Sequence, residues 1–309
     1  MPDLDWVPNT VCTPGQRVLI LPTGPADVLD TCVLFFVQAI NTAQQRIWIT
    51  SPYFVPDEMV VAALQLAALR GVDVEIYDAE FISVMGPSGA GKSTLLAILG
   101  MLDGDWAGEY YLHHEAVHAM KPKDRIGLNR HYIGFVFQQY HLLDDLTVYE
   151  NVELPLVYRN APAALRKERV RKALDEVDMG QRRNHYPAQL SGGQQQRVAI
   201  ARALVNEPSI ILADEPTASL DPKTSRQIMR LIVELCKERN LAAIINIHDV
   251  ALAQMFVERV IGLELGAVVF DGTPDDLTPD VLTRIYGEED WEATIEKVDD
   301  DDEDIEAAE

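Results

Sequence analysis

The stretch from Gly86 to Thr94 constrains this chain more than any other feature, because its nine residues fit the pattern GxxxxGK[ST]. An apolar run at 81–85 precedes it and reads as a strand; a helical pattern at 92–99 follows it. Strand, glycine loop and helix is the context in which that pattern has physical meaning. Gly86, Gly89 and Gly91, with Ser88 and Ala90 between them, let the backbone turn its N–H groups inward around phosphate oxygens. The helix that Lys92, Ser93 and Thr94 open adds positive potential at its N-terminus. Lys92 supplies a point charge for β- and γ-phosphates, and the Ser93 hydroxyl is a Mg²⁺ ligand.

Two further stretches carry chemistry. Residues 210–213 are four apolar residues of strand type, and two carboxylates, Asp214 and Glu215, emerge at their end. Carboxylates beside a polyphosphate repel it unless a cation or water lies between them. Asp214 therefore reads as a holder of the Mg²⁺ shell, and Glu215 as the group that polarises an attacking water. The third stretch, Leu190-Ser-Gly-Gly-Gln-Gln-Gln-Arg197, opens a helix with Ser191, Gly192, Gly193 and Gln194, a second anion-binding N-terminus.

With these motifs in place, residues 80–287 resemble an ATP-binding-cassette (ABC) transporter ATPase, whose signature is LSGGQ. The resemblance implies an α/β P-loop NTPase fold with a helical subdomain, here 151–189, that presents the signature. It implies roles for more residues. Gln138 matches the glutamine that reaches Mg²⁺ and faces the membrane partner, Asp221 lies in the Ser-Leu-Asp match at 219–221, and His248 matches the histidine that contacts the γ-phosphate. It also implies a homodimer that sandwiches two ATP molecules, with Ser191 and Gly193 acting across the interface, and transmembrane permease subunits that the dimer drives.

The chain is not uniform. Residues 17–77 read as a βαβαβ unit and resemble the phospholipase D superfamily, especially bacterial cardiolipin synthases, through 46–57 and 64–74. That superfamily works through HxKx₄D, and none of the seven histidines here has a lysine two residues later. The expected division is 1–78 for this fragment, 79–287 for the cassette and 288–309 for an acidic tail. Within the cassette, 134–143 and 148–156 resemble lipoprotein-release and macrolide-export ATPases, whereas 245–250, 259–263, 268–272 and 284–287 resemble phosphonate-import ATPases. No adenine-stacking aromatic is assignable: Tyr53 and Phe54 belong to the phospholipase-like match.

Composition limits the alternatives. The net charge is −23, and from Glu288 to Glu309 there are 13 acidic residues against one lysine, so the tail is expected to be solvated and unfolded. An acidic chain excludes sequence-independent nucleic-acid binding, which needs clustered Lys and Arg. Three separated cysteines, Cys12, Cys32 and Cys236, give no disulfide framework. No run of about 18 apolar residues offers a membrane span, so the expected location is cytoplasmic, at the inner face of the membrane through partners. A phospholipid-processing enzyme of the phospholipase D type is the alternative from another class, and it lacks its motif. A fusion remnant without turnover is the third reading. A soluble non-transport cassette is the fourth, and it usually carries two P-loops where this chain has one. The pattern His114-Glu115-Ala-Val-His118 matches the zinc-protease HExxH, but it falls where cassettes carry strands and turns and is read as a chance match.

Overall fold

Parallel strands need both faces covered, and the apolar runs of this chain supply that. The computed structural model describes residues 72–288 except 105, together with Trp291. The chain divides into two units, Met1–Leu64 and Gln65–Glu309, and every described residue belongs to the second. The expected elements before residue 71, Tyr53 and Phe54, Cys12 and Cys32, and the 299–309 run of the tail lie outside the described residues.

Six strands form the main sheet: β1 (Phe81–Met85), β4 (Ile133–Phe137), β5 (Ile210–Asp214), β6 (Ala242–Asn246), β7 (Arg259–Glu264) and β8 (Ala267–Gly272). Their order is β4-β5-β6-β1-β7-β8; the first five are parallel, and β8 returns antiparallel to β7. A separate antiparallel pair, β2 (Tyr111–Leu112) and β3 (Glu115–Ala116), completes the strands. The period of two sorts the strand side chains between the sheet's faces. Phe81, Met85, Ile211, Ala213, Ala243 and Ile245 join one buried cluster. Ile82, Val84, Leu212 and Ile244 join the other.

The helices cover those faces. They are α1 (Lys92–Leu99), α2 (Pro122–Tyr132), α3 (Val148–Tyr158), α4 (Ala163–Glu176), α5 (Gly192–Leu204), α6 (Pro222–Arg239), α7 (Val250–Phe256) and α8 (Pro279–Tyr286). Leu96 of α1 packs in the second cluster. Val198 and Ile200 of α5, Ile228, Met229 and Ile232 of α6, and Leu282 and Ile285 of α8 pack in the first. At roughly 1.5–3 kcal/mol for each fully buried Leu, Ile, Val or Met side chain, these two clusters hold the sheet and helices together. The architecture is the expected α/β P-loop NTPase.

The helix α3 begins one residue after Thr147, whose hydroxyl accepts from the Glu150 N–H while the Glu150 carboxylate accepts from the Thr147 N–H. This reciprocal cap satisfies two otherwise orphaned donors. Three departures from the sequence reading stand out. The strand expected over 72–77 is not paired with any described strand; the segment keeps the alternation only, with Val72, Val74 and Ile76 packed against the second cluster. The helix α2 was not foreseen; none of its residues is fully buried, and only the partly buried Leu128 and Tyr132 pack against the second cluster. The HExxH match sits on the β2–β3 hairpin and a short 3₁₀ turn, Val117–Ala119, not on a helix. Its two histidines do not share a helix face, and the Tyr110 N–H donates to His118 Nδ1 at 3.2 Å.

Candidate functional site

The loop after β1 is shaped by glycines where no side chain fits. Gly86 has φ 151°, and a Cβ there would overlap the Leu263 carbonyl of β7. Gly91 sits at φ 99° as the residue before α1, and no side chain caps that helix. The first-turn N–H groups of α1 are therefore left for a ligand. Lys92 is buried, and its Nζ donates to the carbonyls of Gly86 at 2.7 Å and Pro87 at 3.0 Å. Burial lowers its pKa, and the neighbouring charges of Glu215 and Asp214 pull it back up. Ser88 and Gly89 lie exposed at the loop's rim, Ala90 is buried, and Thr94 is half-buried in the first turn. The Ala90 carbonyl accepts from the Gly266 N–H at 3.1 Å, which ties the loop to the β7–β8 turn.

The carboxylates meet this loop from the neighbouring strands. Asp214 ends β5, level with Phe137 of β4 and Asn246 of β6. One of its oxygens accepts from the Ser93 hydroxyl at 3.1 Å and from the Asn246 amide at 2.7 Å. Glu215 has a positive φ of 47°, which turns its side chain away from the strand direction. Its N–H donates to the Asn246 carbonyl at 3.2 Å, and its carboxylate lies 2.6 Å from His248 Nε2. A cavity of about 390 Å³ opens beside this pair, walled by Leu220, Leu252 and Met255.

The structure does not bring every expected residue to this edge. Gln138 follows β4 directly but is exposed and makes no side-chain hydrogen bond among the described residues. Ser191 and Gln194 are engaged with each other: the Gln194 N–H donates to the Ser191 hydroxyl, and the Ser191 N–H donates to Gln194 Oε1 at 3.1 Å. This box starts α5. Gly192 lies against the Tyr140 hydroxyl and Leu220, and Gly193 against the Thr224 methyl. Asp221 caps α6 by accepting the Thr224 N–H at 3.0 Å; hydrogen bonding to the Thr224 side chain first, and to its backbone N–H second, lowers the Asp221 pKa. No hydrogen bond among the described residues joins 191–194 to 86–94.

A family model described as ABC transporter matches residues 69–218. Phosphonates import ATP-binding protein PhnC 2 of Synechococcus sp. is 49% identical over 236 residues, 74% of this chain and 87% of that protein. This chain belongs to the ABC transporter family. It is an ATP-binding, ATP-hydrolysing subunit. The ATP-binding cassette MJ0796 of Methanocaldococcus jannaschii, solved as a dimer bound to ADP and Pi, is 44% identical, with a TM-score of 0.61 over 67% of this chain and 90% of that one. The cassette cbiO1 of Clostridium perfringens, part of the complex cbiONQ, is 32% identical, with a TM-score of 0.63 over 68% and 83%. A second model, described as cardiolipin synthase, PLD-like domain, matches residues 36–81 and overlaps the first.

Three residues of this cassette escaped the motif reading. Asn246 is fully buried and bridges Asp214 and Glu215, and the only sequence signal was a lone amide in an apolar run at 241–247. Arg202 of α5 donates to the carbonyls of Tyr140, at 2.6 Å, and His141. Those two residues form the turn after Gln138 with positive φ of 57° and 46°. Burial lowers the Arg202 pKa. Tyr286 of α8 accepts the Gly86 N–H at 3.3 Å.

Proposed function

We propose that this cassette powers import through separate transmembrane permease subunits, working as a homodimer that closes on two Mg-ATP molecules at the cytoplasmic face of a membrane. What carries the reading is the convergence on Asp214: Ser93 of the P-loop and Asn246 of β6 hold one of its oxygens, with Lys92, Glu215 and His248 alongside. The direction rests on relatives at 49% and 46% identity that are named phosphonates import ATP-binding proteins. No helix among the described residues is long and apolar enough to cross a membrane.

The donors suit a small hard cation. The Ser93 hydroxyl and the Asp214 carboxylate already lie 3.1 Å apart, two oxygens of the kind Mg²⁺ takes. Gln138 completes the set from the end of β4. The ion, when bound, neutralises charge on the β- and γ-phosphates.

The chain's own groups do the rest. The loop N–H groups from Gly89 to Thr94 and the Lys92 ammonium bind and orient the triphosphate. Glu215 holds the attacking water and takes its proton, and His248, at 2.6 Å, fixes the direction of that carboxylate and meets the γ-phosphate. Ser191, Gly192, Gly193 and Gln194 open a helix toward the ATP of the partner subunit. Asp221, at the start of α6, lines the same interface.

The test is steady-state Mg-ATP hydrolysis by the purified chain, with Glu215→Gln as the comparison. Turnover should fall by about 10²–10⁴-fold on loss of a general base. The variant should still bind ATP and accumulate as a dimer. Equal turnover in both proteins, or a variant that stays monomeric in saturating ATP, overturns the reading. A folded wild-type chain with no turnover overturns it as well.

A further inference from the structure

The P-loop is held from outside the nucleotide motifs. Gly86 is its first residue, and its N–H points at the hydroxyl of Tyr286, 200 residues later, at 3.3 Å. Tyr286 ends α8, a helix whose Leu282 and Ile285 are fully buried in the core. Ile285 also fills the space beside Gly262 of β7, where a Cβ would meet it at 2.7 Å. Beyond the helix, the Trp291 ring packs on the Tyr286 ring with centroids 5.3 Å apart, and Trp291 Nε1 donates to the Gly287 carbonyl at 3.1 Å. Both rings are thereby fixed, and burial pushes the phenol up to about 12, so it stays neutral at any physiological pH.

We infer that Tyr286 is a positioning residue for nucleotide binding: its hydroxyl, braced by Trp291, sets the backbone of the first P-loop residue. The geometry leaves few other restraints there. Gly86 has φ 151° and no side chain, and its carbonyl is already engaged by Lys92 at 2.7 Å. The Leu263 carbonyl packs close enough to Gly86 that a Cβ would meet it at 2.2 Å, and the phenol accepts the Gly86 N–H at 3.3 Å. Losing the acceptor frees a buried N–H to seek another partner, and the carbonyl that holds Lys92 Nζ moves with it. A buried donor left without its acceptor is among the more costly local defects. The P-loop must be ordered before phosphate arrives, so the cost falls on affinity for the nucleotide, not on the step that follows.

This inference rests on the P-loop assignment, and the test separates the two. ATP affinity is measured by equilibrium titration with the purified full-length chain, together with KM and kcat for Mg-ATP hydrolysis. Wild type against Lys92→Ala checks the P-loop itself: equal affinity in those two proteins sinks the P-loop reading, whatever Tyr286 does. Tyr286→Phe keeps the ring and its packing on Trp291 and removes only the acceptor. It should weaken ATP binding and raise KM by about fivefold, with kcat within twofold of wild type. Ile285→Val loosens the same helix without touching the hydrogen bond, and should leave KM unchanged. Wild-type affinity in Tyr286→Phe overturns the inference. So does a rise in KM for Ile285→Val equal to that for Tyr286→Phe, since packing of α8 would then account for both.

Discussion

Adding one methyl group at Gly193 sets two known effects against each other. Gly193 is the second residue of α5, and alanine in a helix is favoured over glycine by up to about 1 kcal/mol. A Cβ built there meets the Thr224 methyl of α6 at 2.6 Å, where carbon atoms normally rest at about 3.5–4.0 Å. The overlap of roughly 1 Å cannot be relieved by a long flexible chain, because threonine is branched at Cβ. Overpacking of this kind costs about 1–3 kcal/mol, so Gly193→Ala should be net destabilising by about 1–2 kcal/mol. Thr224→Ser removes the obstructing methyl. It leaves the α6 cap intact, since Asp221 accepts the backbone N–H of residue 224 at 3.0 Å. The double variant should regain wild-type stability, with a coupling of about 1–3 kcal/mol in a urea-unfolding cycle at constant m-value. A Gly193→Ala protein as stable as wild type, or one that Thr224→Ser fails to rescue, refutes the close contact between α5 and α6. Turnover gives a second readout. If Gly193 also faces the partner subunit's ATP, the double variant regains stability without regaining turnover.

Two other predictions come from the surroundings of the site. Arg202→Ala should cost about 0.5–1.5 kcal/mol, because the carbonyls of Tyr140 and His141 lose a half-buried donor. Amide exchange should rise at 140–142 before it rises in α5, and uniform exchange across both would argue against a local clamp. The second concerns Asp271 on β8, whose pKa is lowered by hydrogen bonds from Arg259 at 2.6 and 2.7 Å. A carboxylate depressed in the folded state contributes stability above its unfolded value, near 3.9, and loses it as pH falls through the folded value. Asp271→Asn should therefore be less stable than wild type at neutral pH, and the gap should close below about pH 4. The pair is partly exposed, so the gap should also shrink in high salt; a pH-independent gap would contradict the assignment.

The local signals in the sequence were read well where chemistry and periodicity coincide. The strand Phe81–Met85 and the helix Lys92–Leu99 occur where their patterns predict them. The strand-type run at 210–213 extends one residue further, to Asp214, because pairing with β4 and β6 continues through Asp214. Residues 72–77 show the limit of pattern alone. Their alternation is real, but a strand also needs a partner, and none of the described strands pairs with them. The site's supports were unreadable for a related reason. Asn246 reaches Asp214 across 32 residues, Arg202 reaches Tyr140 across 62, and Tyr286 reaches Gly86 across 200. A window of 11–18 residues cannot register such bonds. The motif residues themselves are contiguous, which is why they were visible and their braces were not.

Strand direction explains why separate motifs make one site. Gly86 follows β1, Gln138 follows β4, Asp214 ends β5 with Glu215 directly after it, and His248 follows β6 by two residues. These strands are parallel, so every such exit lies at the same edge of the sheet. Reversing any one of them would carry its functional residue to the opposite edge, about 17 Å away for a five-residue strand. The one antiparallel strand, β8, obeys the same logic. It begins with the turn at 265–266, at the edge where β7 ends, and Gly266 donates to Ala90 of the P-loop. The signature cannot join by this route. It opens α5, a helix that packs against α6 and carries Gly192 and Gly193 against Tyr140, Leu220 and Thr224. Geometry within one chain therefore brings the P-loop, Asp214, Glu215 and His248 to one end of the sheet, while the helix start at 191–194 is held apart by its packing on α6.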